Sequence, residues 1–147
     1  HSINAFVLVA ADGHRQPVRW ALVPEQDFAP MGEGPHAEDA LSREFAQRLQ
    51  RGPVRWSLRL QLAEPGDAVE DPSQPWPAQR REIDAGVVEL VAAEAQQDGA
   101  CNGLNFDPLV LPRGIEASAD PILHARRAAY AESLRRRARE TLTGAGP

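Results

Sequence analysis

Hydrophobic and polar residues alternate most regularly between Val54 and Leu62, where Val54, Trp56, Leu58, Leu60 and Leu62 interleave with Arg55, Ser57, Arg59 and Gln61. Period-two patterning of this length predicts a strand with one buried face and one face that is wet or turned to a polar site. Ala5 to Ala11 is apolar and strand-like, and Asp12-Gly13 after it is a strong hairpin turn signal. The returning strand is expected from about Pro17 to Val23, stopping at Pro24. Glu25 to His36, with Pro30, Gly32, Gly34 and Pro35, reads as a loop. Leu41, Phe45 and Leu49 then recur every four residues, which predicts a helix from about Ala37 to Gln50 with one apolar stripe, ended by Gly52-Pro53.

Pro65 to Pro77 is a proline-rich loop holding Trp76, and a further strand is expected from about Ile83 to Ala92. A loop around Asp98 to Asn105 leads into Phe106 to Gly114, whose prolines and glycine predict extended chain. Asp120-Pro121 opens a last helix, with an acidic N-cap followed by proline at the first helical position, running to about Thr141. A hairpin, a helix and two strands joined by a long loop predict an α+β fold. It is mainly antiparallel β, with about four strands, a mid-chain helix and a C-terminal helix, in one domain over residues 1–147, and without βαβ units. No repeat is visible.

Composition changes this picture little. At 147 residues, 42% hydrophobic and 25% charged, the chain can bury a core, and no apolar run approaches the roughly 20 residues of a membrane helix. All 16 basic residues are arginine and the net charge is −5, which argues against general nucleic-acid binding. Charge is uneven: Pro121 to Pro147 holds six Arg against two Glu, or +4, which leaves −9 for the rest. The single Cys101 excludes an internal disulfide and reads as an inert thiol. A start at His1 without Met implies processing or an absent upstream region, and compartment stays open.

The last helix groups the residues with chemistry. Arg126, Tyr130, Ser133 and Arg137 follow steps of four, three and four and share one stripe, and Tyr130 is the only tyrosine. Phenols ionise near pH 10; a neighbouring guanidinium favours the phenolate, and a ferric ion favours it further. A second guanidinium about two turns along suits a carboxylate. From spacing alone the leading reading is a half-buried tyrosine whose hydroxyl is satisfied by arginine on a solvated helix.

The segment Arg126-Arg127-Ala128-Ala129-Tyr130-Ala131-Glu132-Ser133 resembles the proximal haem-ligand signature of the catalase superfamily. Arg126, Ala129, Tyr130 and Ser133 fit that signature. Arg127 stands where an apolar residue is usual, Ala128 where Phe is usual and Glu132 where Asp is usual, which points towards the smaller catalase-related haem peroxidases. Phe106-Asp107-Pro108, Pro112, Gly114-Ile115-Glu116-Ala117-Ser118 and Asp120 are similar to the run before the proximal helix in order and spacing. Upstream, Asn4-Ala5-Phe6, Asp12-Gly13 and Val18-Arg19-Trp20 resemble the fifth and sixth strands of the catalase barrel, with Val54–Leu62 and Val87–Val91 as the seventh and eighth.

The resemblance implies half of the catalase β-barrel plus its proximal helix, and haem b as cofactor. It implies Tyr130 as axial iron ligand, Arg126 keeping the phenolate charged, Arg137 on a propionate, and Phe106 and Ile122 walling the porphyrin. It further implies reduction of hydrogen peroxide at the expense of a second peroxide or an organic reductant. The distal His and Asn of the family have no match: His1, His14, His36 and His124 lie in strand-start, turn, loop and helix contexts. The chain is therefore expected to be the C-terminal part of the catalase-like domain, incomplete for catalysis alone. It is expected to form a homo-oligomer or to associate with the missing N-terminal half. Two rivals are a catalase-fold enzyme that rearranges hydroperoxides, and a haem-less module whose arginines dock an acidic surface.

Overall fold

A hairpin begins the sheet. In the computed structural model, β1 (Phe6–Val9) pairs antiparallel with β2 (Arg15–Pro24), Phe6 opposite Val18 and Val9 opposite Arg15. The turn is closed by the Ala10 amide on the His14 carbonyl at 2.9 Å and by the His14 amide on the Asp12 carboxylate at 2.9 Å. Gly13 there has φ +85, a conformation in which a Cβ would be strained. The structure describes residues 2–27, 30, 32, 34, 37–94 and 100–143. His1, His36, half of the predicted 25–36 loop and the first two residues of the 98–105 loop lie outside them.

The helix α1 (Ala40–Arg51) follows, starting three residues later than its apolar stripe predicts. The carboxylate of Asp39 does not cap it; both oxygens are taken by Arg43, at 2.6 and 2.7 Å. Gly52 closes it at φ +150 with its amide on the Leu49 carbonyl. No residue of α1 is buried and Leu41 is 68% exposed, while Phe45 meets Trp56 with ring centroids 6.5 Å apart.

The strand β3 (Val54–Leu62) has the predicted bounds and pairs with β2 on one side and β4 (Glu82–Leu90) on the other. Its apolar row meets that of β2, with Leu62, Leu60 and Leu58 opposite Val18, Trp20 and Leu22. Arg55 and Arg59 point to the other face, where they pair with Glu89 and Asp84 across β4. A bulge at Leu58/Arg59 leaves Ala85 extra between Gly86 and Asp84. The loop before β4 is fastened to the sheet by Arg19. Its guanidinium lies 4.4 Å over the ring of Trp76 and donates to the carbonyls of Ala68, Asp71 and Gln74.

A fifth strand, β5 (Ile115–Ala117), pairs antiparallel with β1 and gives the sheet order β4-β3-β2-β1-β5. It falls in a stretch expected to lead straight into the last helix. Three residues carry too little alternation to signal a strand, and only the pairing of Ala117 with Phe6 reveals it. After β5 the chain bends at Ala119 into α2 (Pro121–Thr143). Five strands in one antiparallel sheet with two helices make this an α+β fold.

The core is small: among the described residues, Ala5, Val7, Val18, Val54, Trp76 and Leu123 are the buried apolar ones. Leu123, fully buried in the first turn of α2, is the helix's only buried side chain among the described residues and contributes on the order of 2–3 kcal/mol by burial. The apolar face of β2 stays partly open, with Trp20 and Leu22 37% and 38% exposed.

Candidate functional site on helix α2

The start of α2 is built as its sequence dictates. Asp120, fully buried, accepts from the backbone amides of Ile122 at 2.8 Å and Leu123 at 3.3 Å through Oδ1, while Pro121 needs no partner for an absent N–H. Its second oxygen accepts from Asn4 Nδ2 at 2.6 Å. The other end of that amide, Asn4 Oδ1, accepts from Arg126 Nη1 at 2.9 Å. Arg126 Nη2 in turn donates to the hydroxyl oxygen of Tyr130 at 3.1 Å, with the guanidinium 5.6 Å from the phenol ring centroid. Each contact matches its chemistry: a carboxylate can only accept, a guanidinium can only donate, and a carboxamide does both.

The predicted stripe is thus assembled. Ile122, Arg126, Tyr130, Ser133 and Arg137 follow one another along α2. Tyr130 is half-buried, and Ile122 is 53% exposed at the head of the row. Arg137 donates to Ser133 Oγ at 2.7 Å and to the Leu104 carbonyl at 2.8 Å. Phe106, 54% exposed, lies in the segment brought alongside by that last contact and by Arg127 Nε against Asp107 Oδ2 at 3.2 Å. The five predicted site residues therefore come from one helix and the chain flanking it. A concavity of about 450 Å³ adjoins the stripe at Ala129, Ser133 and Arg137. A larger one, about 630 Å³, is lined by residues that include Arg19, Trp20, Arg59 and Trp76 but by none from α2. The chemistry follows the phenol, not the larger volume. His14 is exposed in its turn, and His124 meets the Ser118 carbonyl through Nε2 at 2.9 Å.

Sequence reasoning found Arg126 with Tyr130 but not Asn4 or the second role of Asp120. Helical spacing reveals partners four apart. Asn4 and Asp120 are 116 residues apart, and no local pattern signals such a contact. Asn4→Ala should therefore lower stability by about 1–3 kcal/mol, by orphaning buried donors and acceptors. Arg126→Ala, at an exposed position, should lower it by less. Urea unfolding of the two variants checks the order.

Glu132, two residues beyond Tyr130, is held down to a pKa of about 2, from an ordinary 4.5, by hydrogen bonds from Arg135 and Arg136. It is an anion at neutral pH and not a proton donor there. Because its folded value is the lower one, its stabilising contribution is present above about pH 4.5 and is lost as pH falls through about 2. The stability difference between wild type and Glu132→Gln, followed by helical circular dichroism, should vanish across that window.

Solved structures share this fold. A fungal catalase and catalase A from Saccharomyces cerevisiae each superpose with a TM-score of 0.74 over 92% of this chain and 30% of theirs, at 21% identity. The α+β sheet-and-helix unit has the fold of part of these catalases. In sequence, the chain is similar to the catalase-related peroxidases. It is 36% identical to that of Synechococcus elongatus and 35% identical to that of Mycolicibacterium paratuberculosis, each over 93% of this chain. It spans 41% and 44% of the length of those relatives. No protein-family model matches it.

Proposed function

We propose that this chain supplies the proximal, iron-binding side of a haem-dependent peroxidase that reduces hydrogen peroxide, as the C-terminal part of a catalase-like domain. The observation that carries it is the phenol oxygen of Tyr130 accepting from Arg126 on a partly open helix face headed by an exposed Ile122. The residues fit a haem and suit a bare ion poorly. Among the described residues no group of three His, Cys, Asp or Glu is placed to hold a metal. A single phenolate suffices for an iron that brings its own four ring nitrogens. When bound, haem supplies the redox chemistry of peroxide reduction.

The chain's own residues bind and orient. Tyr130 would offer its phenol oxygen to the iron. Arg126, held by Asn4, which Asp120 holds in turn, donates to that oxygen and keeps it in the acceptor role. Arg137, which donates to Ser133 and Leu104 here, would turn its guanidinium fork to a propionate, the geometry that suits a carboxylate. Ile122 and Phe106 would wall the macrocycle. Similarity to the catalase-related peroxidases supports the peroxidase assignment. The second substrate under this proposal is another peroxide or an organic donor, and the catalase-fold rearrangement of hydroperoxides is the nearest alternative.

The purified chain titrated with ferric haem should give a high-spin, tyrosinate-type Soret spectrum. It should also be a poor catalase by itself, since positioned acid–base help of the kind a distal pair supplies contributes about 10²–10⁴ in rate. Absence of a Soret shift, with an acidic protein captured instead through Arg135, Arg136 and Arg139, would favour the haem-less rival.

A further inference from the structure

Asp107 is a buried carboxylate, its side chain only 4% exposed, in a stretch otherwise open to solvent. One oxygen closes a local turn by accepting the Leu109 amide at 2.9 Å, and the Val110 amide reaches the Asp107 carbonyl at 3.1 Å. The other oxygen faces Arg127 Nε at 3.2 Å, and Arg127 itself is 67% exposed. A charge this enclosed requires a counter-charge, and α2 provides it from the position where the resemblance expects an apolar residue. Three residues upstream, Arg137 holds the Leu104 carbonyl at 2.8 Å. The stretch from Leu104 to Asp107 is therefore fastened to α2 at both ends, ten helical residues apart, and Phe106 lies between the two fastenings.

We propose that Arg127 is a positioning residue, which through Asp107 sets Phe106 as a fixed side wall of the Tyr130 face. This rests on the haem function proposed above. Arg127 touches neither the phenol nor, in this proposal, the cofactor. It acts on the wall, so its removal changes how long the cofactor stays and leaves the axial ligand alone.

The test uses the full-length protein with Arg127→Leu, which keeps helix propensity and the family's usual apolar character, together with Arg127→Lys, Asp107→Asn and the Leu/Asn double variant. Two readouts separate the possibilities. In the haem-free protein, trypsin cleavage after Arg113, an exposed site in the same segment, should be several-fold faster in Arg127→Leu and close to wild type in Arg127→Lys. In the haem-bound protein, transfer to excess apomyoglobin should be roughly five- to tenfold faster in Arg127→Leu, as loss of one charge-assisted contact predicts. The tyrosinate spectrum should not move, and the double variant should be no worse than the worse single one. Wild-type cleavage and transfer rates in Arg127→Leu would overturn the proposal and leave the function standing. Failure of wild type to bind haem would overturn both, and the cleavage rates would still show whether the pair holds the segment.

Discussion

Tyr130→Phe should leave the protein folded and strip it of its tyrosinate spectrum. The substitution removes one oxygen and keeps the ring, so the half-buried packing of the side chain on α2 survives. What disappears is the acceptor of the Arg126 contact at 3.1 Å and, under the proposed function, the axial donor to iron. No second tyrosine exists to take its place. The guanidinium would then face a phenyl edge, with its Asn4 contact intact. Haem affinity should fall by at least about a hundredfold, on the order of 3 kcal/mol or more for a lost metal–ligand bond. Urea unfolding should shift by less than about 1.5 kcal/mol, the scale of one exposed-side hydrogen bond. Identical Soret spectra with retained haem in wild type and variant would end the proximal-ligand proposal. The haem-less rival predicts instead no Soret band in either protein.

The second large effect is on stability. Asp120→Ala should cost about 2–4 kcal/mol. Loss of the N-cap accounts for about 1 kcal/mol, since two amides of the first turn of α2 lose their acceptor. The remainder comes from Asn4, whose buried Nδ2 is left without the carboxylate at 2.6 Å, a penalty of about 1–3 kcal/mol. Asp120→Asn should behave differently. It keeps an oxygen for the cap but sets an NH₂ against the NH₂ of Asn4. Turning Asn4 over would relieve that clash at the expense of the acceptor for Arg126. Asp120→Asn is thus expected to be the more stable variant of the two and still to loosen Arg126 from Tyr130. Urea denaturation followed by tryptophan fluorescence measures the first effect, and the Soret titration measures the second. An unfolding midpoint for Asp120→Ala equal to wild type would show that the buried cap carries no load.

These two positions also show where sequence suffices. Asp120-Pro121 announces a helix start because the cap contacts lie within three residues. Arg126 with Tyr130 is equally legible, being one helical turn apart. Strand β3 is legible because its nine alternating residues can serve no other period. Asn4 is not legible as part of the site, since only the sheet, by setting β1 beside β5, brings it to the start of α2. Strand β5 fails for the same reason: three residues become a strand only against Phe6 to Leu8. The stripe of α1 shows a different limit. Leu41, Phe45 and Leu49 do mark one apolar face, but a pattern states which face is apolar and not whether anything covers it, and in the event none of α1 is buried.

The span of the Asn4–Arg126 contact has a consequence for the order of assembly. The two residues are 122 positions apart, so Asn4 must wait for β1 to β5 and the first turns of α2 before it meets its partner. On a ribosome adding about 5–20 residues per second, β1 to β4 can pair while α2 is still unsynthesised or within the exit tunnel. The donor to Tyr130 acquires its support only once α2 has emerged and packed. Contacts of such long range are late and slow to form. Under the proposed function, cofactor capture then waits for α2, and a nascent chain stalled within α2 would present a paired sheet with no grip on iron.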